Sequence, residues 1–389
     1  MRSLRSLRYS LTVAAGTVAA VLACGAAHAQ QQRTFKLTVS PTGYDHYQAS
    51  HAQNVGIHVM TANTPAGLAA KRMGQFGMTQ DGSQGGAFGG GDWGDGGAGM
   101  RYPGTLSFHG GHVVRSATEY LIYVNIESNG NCNTIPTCWG DPYQFLSDLG
   151  QSRFIHIVDQ YVGAQDEDRY RPSRDVIEVS YASTPGVPYT DLDVQSIVYG
   201  VISQLGLSGG HHAIYDVFLP PGQDECSGPG QCYSPDNPST FVFCAYHGST
   251  TLPGVAGTVL YTVEPFQDVS GCSVRPNTPN GQLIDSTNNV LSHETIETIT
   301  DPDVSGAWPT GWWNELSNAM FGQEIGDECS FLAINPPPPA LPSANTSVFF
   351  DQSNVDLNGH AYAIQPEYSN AQHGCATSPP DGGDGWGNG

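Results

Sequence analysis

Lysine is nearly missing from this 389-residue chain, which has two lysines, 14 basic residues in all and 36 acidic ones. The formal net charge is −22, although only 13% of the residues are charged. Nucleic acids and anionic membrane surfaces are bound through a basic face that neutralises phosphate. The shortage of base therefore argues against both classes of partner and favours cations as small ligands.

A hydrophobic run long enough to cross a membrane is also missing, because Leu11–Ala23 is too short for a stable transmembrane helix. Three arginines precede this run, and Ala27 and Ala29 follow it where signal peptidase prefers small residues. The order is typical of a secretory signal peptide over residues 1–29. We therefore expect a secreted protein, extracellular or periplasmic, with no transmembrane segment.

Cysteine is present but is not arranged for zinc, because no two cysteines have the C-x-x-C spacing of a thiolate site. Eight of the nine cysteines lie after residue 29, and an even number in an exported, loop-rich chain predicts up to four disulfides. Cys132 and Cys138, with five residues between them, are the expected local pair. The other pairings stay open.

A glycine-rich segment separates two parts of the chain. Half of the residues from 81 to 100 are Gly, which cannot form a core, so 81–101 is predicted to be a linker. It separates an N-terminal extended segment, 30–80, from a main domain, 102–375, and a Gly-rich tail, 376–389, is predicted to be disordered.

Strands and helices are predicted to alternate irregularly in the main domain, which indicates an α+β fold. A helix is expected between Thr190, as N-cap, and Gly206, because the apolar residues between them recur at helical spacing. A shorter helix is expected over Asp141–Leu149. The predicted strands are rich in β-branched and aromatic residues: Thr34–Val39, Thr118–Asn125, Ala213–Leu219, Thr240–Tyr246 and Thr258–Val263.

The most specific chemical motif is His293-Glu294-Thr295-Ile296-Glu297. It lies in a stretch of helical period that Asp285 or Ser286 is expected to cap and that Pro302 must end. Residues four apart share one face of a helix, so His293 and Glu297 are predicted to bind one metal ion. The motif is the H-E-x-x-H of metallopeptidases with Glu as the second ligand, and Glu294 is then the general base that activates water.

A further ligand must come from elsewhere, because catalytic zinc uses three protein ligands. Glu324 is the first choice and Asp327 the second, in a segment that packs three acids into six residues. Asp303 has the spacing of the third ligand in longer H-E-x-x-H motifs, but Thr300 replaces the Gly that lets that chain turn. Zinc is expected, and the carboxylate-rich set leaves manganese and calcium open.

Several histidines beside glycine are expected to be structural, because a single loop histidine is more often structural than a ligand. They are His109, His112, His211, His212 and His247.

Five short blocks, in order, resemble the EXORDIUM, or phosphate-induced protein 1, family. The blocks are Leu106–Val114 with the strand at Thr118–Asn125, Tyr215–Leu219, Phe243–Gly248, His293–Glu297 with Asp301-Pro302, and Glu324–Cys329. The resemblance implies a secreted or cell-wall protein without a settled enzymatic activity. His112 stands where the family has Pro.

Two functions of different classes follow. One is a zincin-like metallohydrolase, most simply a metallopeptidase, acting on an unidentified peptide or cell-wall polymer; its fold would be a zincin-like mixed sheet with an active-site helix and long disulfide-tied loops. The other is a non-catalytic extracellular protein in which the same residues hold a structural cation.

Overall fold

The computed structural model describes residues 32–40, 56–72, 105–126, 132–163, 169–182, 184–304, 311–315, 322–330 and 353–380. All of these belong to one compact unit. The predicted signal peptide, the predicted Gly-rich linker and residues 381–389 of the predicted tail lie outside the described residues.

Seventeen strands are described, and eight of them form the main sheet. Their bounds are β1 (Thr34–Val39), β2 (Gly56–Thr61), β3 (Ser107–Phe108), β4 (Ala117–Val124), β5 (Tyr170–Pro172), β6 (Val176–Tyr181), β7 (Tyr189–Thr190), β8 (Ala213–Phe218), β9 (Glu225–Gly228), β10 (Gln231–Tyr233), β11 (Phe243–Thr250), β12 (Val259–Glu264), β13 (Trp312–Trp313), β14 (Ser353–Leu357), β15 (His360–Ile364), β16 (Glu367–Ser369) and β17 (Gly374–Ala376).

The helices are α1 (Pro65–Arg72), α2 (Ile135–Trp139), α3 (Pro142–Gly150), α4 (Asp159–Val162), α5 (Asp191–Leu205) and α6 (Gln282–Thr300), with a 3₁₀ helix at Ile155–Val158. Helices and a mixed sheet together make the fold α+β, as the sequence predicts. The predicted strands agree with β1, β4, β8 and β12 to within one residue at each end, and the predicted Thr240–Tyr246 strand is β11 shifted by three to four residues.

The main sheet has the order β1-β6-β4-β8-β12-β11-β2, with β5 added beside β4. The strands from β1 to β12 along this order are parallel, and β11 and β2 are antiparallel to their neighbours. The two edge strands, β1 and β2, come from residues 30–80. The sheet therefore extends beyond the predicted 102–375 domain and takes both of its edges from the segment before the linker.

Helix α5 has the predicted ends for local reasons. The Thr190 side chain accepts a hydrogen bond from the Asp193 backbone N–H, Asp193 bonds back to Thr190, and Gly206 closes the helix in the left-handed conformation with φ 67°. Its apolar side is buried on one face of the sheet, where Val194, Val198 and other aliphatic side chains are fully buried.

Helix α6 lies on the other face and begins earlier than the sequence predicts. Its N-cap is Gly281, and the predicted cap at Asp285 or Ser286 is wrong. Both side chains instead bind the chain before the helix: Asp285 accepts from the Asn280 backbone N–H at 2.9 Å, and Ser286 accepts from the Val274 N–H at 2.9 Å. The helix ends at Thr300, two residues before Pro302, as predicted.

Four disulfides tie the loops, and the predicted Cys132–Cys138 pair is one of them. The others are Cys226–Cys232, Cys244–Cys272 and Cys329–Cys375. Disulfides are typical of proteins that fold in an oxidising compartment. Within the described residues, no helix combines the length and the apolar character needed to cross a membrane.

Candidate metal centre

Helix α6 carries His293, Glu294 and Glu297 into the interior, where all three side chains are fully buried. The helix is enclosed on several sides, since it contacts β11, β12 and β15 as well as α2 and α3. Several of its hydroxyls are satisfied within the helix: Ser286 donates to the Gln282 carbonyl at 2.6 Å and Thr300 to the Ile296 carbonyl at 3.2 Å. A polar helix can be buried in this way, but the three ionisable side chains need other partners.

Two histidines from the antiparallel edge of the sheet face these side chains. His247 of β11 and His58 of β2 are directly paired in the sheet register, and their ring centroids are 5.7 Å apart. Both are fully buried. His247 Nδ1 lies 3.2 Å from Glu294 Oε2 and 3.6 Å from Glu297 Oε2.

The acidic loop predicted to supply the further ligand reaches the same place. The Gln365 side chain holds it by donating to the Gly326 carbonyl at 2.8 Å, and the Cys329–Cys375 disulfide anchors its end. His58 Nε2 lies 2.6 Å from Asp327 Oδ2, and His58 Nδ1 lies 3.2 Å from Glu324 Oε1.

The loop can come this close because residue 326 has no side chain. A Cβ atom on Gly326 would lie 2.5 Å from His293 Nδ1 and 3.0 Å from Glu297 Oε1. The Asp327 backbone N–H donates to Glu297 Oε1 at 3.1 Å. The backbone of the loop therefore packs directly against the helical motif.

All five site residues predicted from the sequence thus lie in one buried cluster with His58 and His247. On α6, His293 Nε2 lies 3.1 Å from Glu297 Oε1, and it lies 3.9 Å from Asp327 Oδ1. Three sets of side chains bring one ligand atom each within 4.8 Å of one another: His58, Glu297 and Asp327; His247, Glu297 and Glu324; and His293, Glu294 and Glu297. These groups could hold a metal ion.

Many polar atoms of the cluster are short of hydrogen bonds. Among the described residues, no hydrogen-bond partner is present for His58 Nδ1, either ring nitrogen of His293, Glu294 Oε1, Glu297 Oε2 or either carboxylate oxygen of Glu324. Leaving a buried polar atom unpaired costs about 1–3 kcal/mol, and more for a charged group. A cation that accepts these lone pairs would remove that cost, so the donor set fits a bound divalent ion.

The electrostatics of the protein groups alone also favour a cation. Burial, together with the negative charge of Glu297, raises the pKa of Glu294 well above its usual value, and burial with Asp301 does the same for Glu324. Burial, and then the neighbouring His58 and His293, lower the pKa of His247 far below its ordinary value. Burial lowers the pKa of His58 as well, but the nearby carboxylates, Asp327 first and then Glu297 and Asp301, together make the net shift upward.

A second set of buried carboxylates lies beside the cluster on the same face of the sheet. Asp216 of β8 is opposite Thr262 of β12, which in turn is opposite His247, so these residues form one row across the sheet. Burial raises the pKa of Asp216 to about 7 and those of Glu119 and Glu264 well above the usual value. The charge of Glu264 adds to the upward shift at Glu294.

The structure places two further histidines in the cluster and leaves out Asp303, the weaker candidate for the further ligand. His247 is expected to be structural and His58 is not considered, yet both lie in the cluster. A signal for His58 is present in the sequence, because it is an ionisable residue at an inward position of a largely apolar strand, GIHVMT. Asp303 does not reach the cluster: it lies with His112 and His211 instead.

Comparison of the chain with known protein families, with curated proteins and with solved structures gives no match. The resemblance to the EXORDIUM family and the zincin-like arrangement of the fold therefore stay predictions.

Proposed function

We propose that this chain is a secreted, metal-dependent hydrolase, most simply a metallopeptidase, with its metal held in the buried cluster around α6. The observation that carries the proposal is the convergence of three imidazoles and four carboxylates on one another, with many of their atoms lacking hydrogen bonds. The signal-peptide pattern, the four disulfides and the resemblance to a secreted family support the cellular location.

The ligand set starts from the helical motif. His293 and Glu297 lie on one face of α6, and Asp327 and Glu324 approach from the acidic loop. His58 and His247 enlarge the set on the sheet side. With three imidazoles present, zinc is the preferred ion, and the carboxylates still leave manganese and calcium open.

Glu294 is assigned the role of general base. It follows the first motif histidine, is fully buried, and has one carboxylate oxygen, Oε1, without a hydrogen-bond partner among the described residues. A divalent ion bound there would lower the pKa of water and polarise a carbonyl group. Glu294 would take the proton from that water, and His247, 3.2 Å from its other oxygen, would fix its orientation.

A structural cation is the second candidate function, and one observation favours it. Each of the seven side chains is at most 1% exposed, whereas a hydrolytic site must admit its substrate. In this case the ion would stabilise the packing of α6 against the loop and the edge strands without any turnover.

Elemental analysis of the purified mature protein, followed by hydrolysis of a library of unstructured peptides, tests both functions. We expect stoichiometric metal and peptide cleavage that falls by about 10²–10⁴-fold in Glu294→Gln, the range for loss of a general base. Glu225→Gln is the matched control, because Glu225 is also fully buried but lies with Asp191 and Tyr246 on the α5 side.

Other outcomes separate the candidates. Stoichiometric metal without cleavage by either protein would support the structural cation. Protein refolded with added zinc or manganese that still contains no metal would contradict both functions.

A further inference from the structure

A second group of metal-type ligands lies outside the buried cluster, close to the end of α6. It consists of His112, His211 and Asp303, which come from three distant parts of the sequence. His112 Nδ1 lies 2.5 Å from Asp303 Oδ2, and His211 Nε2 lies 2.8 Å from Asp303 Oδ1. The two imidazole rings approach each other to 4.2 Å between centroids.

We propose that these three residues form a surface binding site for a divalent transition-metal ion, separate from the buried centre. The ligand atoms already lie within 4.8 Å of one another. Zinc bound at about 2.0–2.2 Å in tetrahedral geometry places its ligand atoms roughly 3.3–3.6 Å apart. The two separations between a histidine and Asp303 are now those of hydrogen bonds, and an increase of roughly 1 Å in each would bring them to the spacing around a zinc ion.

Hydrogen bonds to neighbouring segments hold the backbone near each of the three ligands. The proximity of the three side chains therefore follows from the fold. Two residues after His112, the Val114 N–H donates to the Ile299 carbonyl at 2.9 Å, which fixes this segment against the end of α6. Beside His211, the Gly210 N–H donates to the Thr258 carbonyl at 2.6 Å.

Asp303 is anchored by the residue that follows it. Ser249 donates to the Val304 carbonyl at 3.0 Å, and the side chain of Asp303 is only 17% exposed. Because Asp303 is largely enclosed, it is the fixed member of the set. His112, whose side chain is 69% exposed, can adjust its ring to the ion.

The types of ligand atom in this three-residue site favour one class of metal ion. Two imidazoles and one carboxylate suit zinc and its first-row neighbours such as cobalt, nickel and copper, whereas magnesium and calcium prefer oxygen ligands alone. Three protein ligands also leave at least one coordination position for water or an external ligand. The exposure of His112 places that position at the surface of the protein.

Zinc binding to the mature protein, measured by equilibrium dialysis over a range of free zinc, tests this site. The structure predicts that His112→Ala and His211→Ala each bind one zinc ion fewer per chain than the wild type at saturation. His360→Ala is the matched control, because His360 is 59% exposed and 2.8 Å from Asp148 but belongs to no such three-residue set among the described residues.

Thermal unfolding supplies a second measurement, because an ion that joins these three segments stabilises only the folded state. Added zinc should raise the unfolding midpoint of the wild type and of His360→Ala by more than that of His112→Ala. The proposal is overturned if His112→Ala binds as many zinc ions as the wild type, or if His360→Ala loses an ion as well.

Discussion

Helices α5 and α6 cover opposite faces of the same sheet and bury different mixtures of side chains. The α5 face is mainly apolar: the helix packs with Ile122 and Val217 of the central strands, and the buried acids on this side include Asp191 and Glu225. Alternate residues of the same strands point to the α6 face. There the apolar side chain of Leu121 is accompanied by the buried carboxylates Asp216 and Glu264. The two faces therefore differ in chemistry although their strands are shared.

The two faces contribute differently to stability. Burial of aliphatic side chains under α5 stabilises the protein by roughly 25 cal/mol per Å² of apolar surface, and needs no further explanation. Burial of ionisable groups under α6 costs free energy unless they are paired. The proposed metal ion would offset this cost for the groups of the cluster.

The largest expected loss of stability is on the apolar side. Ile197 of α5 is fully buried, so Ile197→Ala should lower the free energy of unfolding by about 2–5 kcal/mol. The metal content should not change, because α5 lies on the opposite face from the cluster. Chemical denaturation and elemental analysis measure the two quantities, with Ser203→Ala, at an exposed position of α5, as the control. Loss of the metal together with stability would contradict the separation of the two faces.

The polar side should make stability depend on pH. The pKa of Asp216 is raised to about 7, above its value of 3.8, because the group is buried, so the folded state keeps a proton that the unfolded state loses. Stability should therefore fall as pH rises from about 4 to 7, by at most about 1.4 kcal/mol per pH unit for this one group.

Asp216→Asn removes this ionisable group. The free energy of unfolding, measured across pH 4–8, should therefore decline less steeply in the variant than in the wild type. The matched control is Asp268→Asn, at an exposed position. Equal slopes in the wild type and Asp216→Asn would show that Asp216 does not titrate differently in the two states.

Gly326→Ala tests the close approach of the acidic loop to α6. The new Cβ would push against His293 Nδ1 and Glu297 Oε1, so we expect metal affinity to fall by about 10–100-fold, the range for disturbed support of metal ligands. Gly374→Ala is the control, because a Cβ there meets nothing within 4 Å. Competition with a chelator measures the affinity. An unchanged affinity in Gly326→Ala would argue that the ion does not need this loop.

The smallest effect concerns the cap of α5. Thr190→Ala removes the side chain that accepts the Asp193 N–H, which should cost about 1 kcal/mol. Metal content should stay at the wild-type level. Thr184→Ala, at an exposed position of the preceding loop, is the control, and denaturant titration of both variants measures the difference. A loss no larger than that of Thr184→Ala would mean that the cap adds little.

Features set by neighbouring residues are predictable from the sequence. The ends of α5 follow from Thr190 and Gly206, and the Cys132–Cys138 disulfide follows from its short spacing. The start of α6 is mispredicted because Asp285 and Ser286 bind the preceding chain, at Asn280 and Val274, and this competing use is not visible in a local pattern.

Part of the candidate site is predictable because its residues are close together in the sequence. The helical spacing brings His293, Glu294 and Glu297 together, and the density of acids marks the loop with Glu324. His58 stands out only as a polar residue in a largely apolar strand, and this does not reveal its partner, since its contact with Asp327 joins residues 269 positions apart in the chain. Pairing of β2 with β11 across the sheet creates that contact.

The sequence by itself determined the local elements, the strongly acidic charge and the helical motif, because these depend on residue types and on spacings of a few positions. Only the tertiary structure decided which distant groups share a site. The sheet register placed His58 beside His247, and the exit of the chain after Thr300 carried Asp303 out of the buried cluster to His112 and His211. Such meetings depend on the packing of whole strands and loops, which no short stretch of sequence encodes.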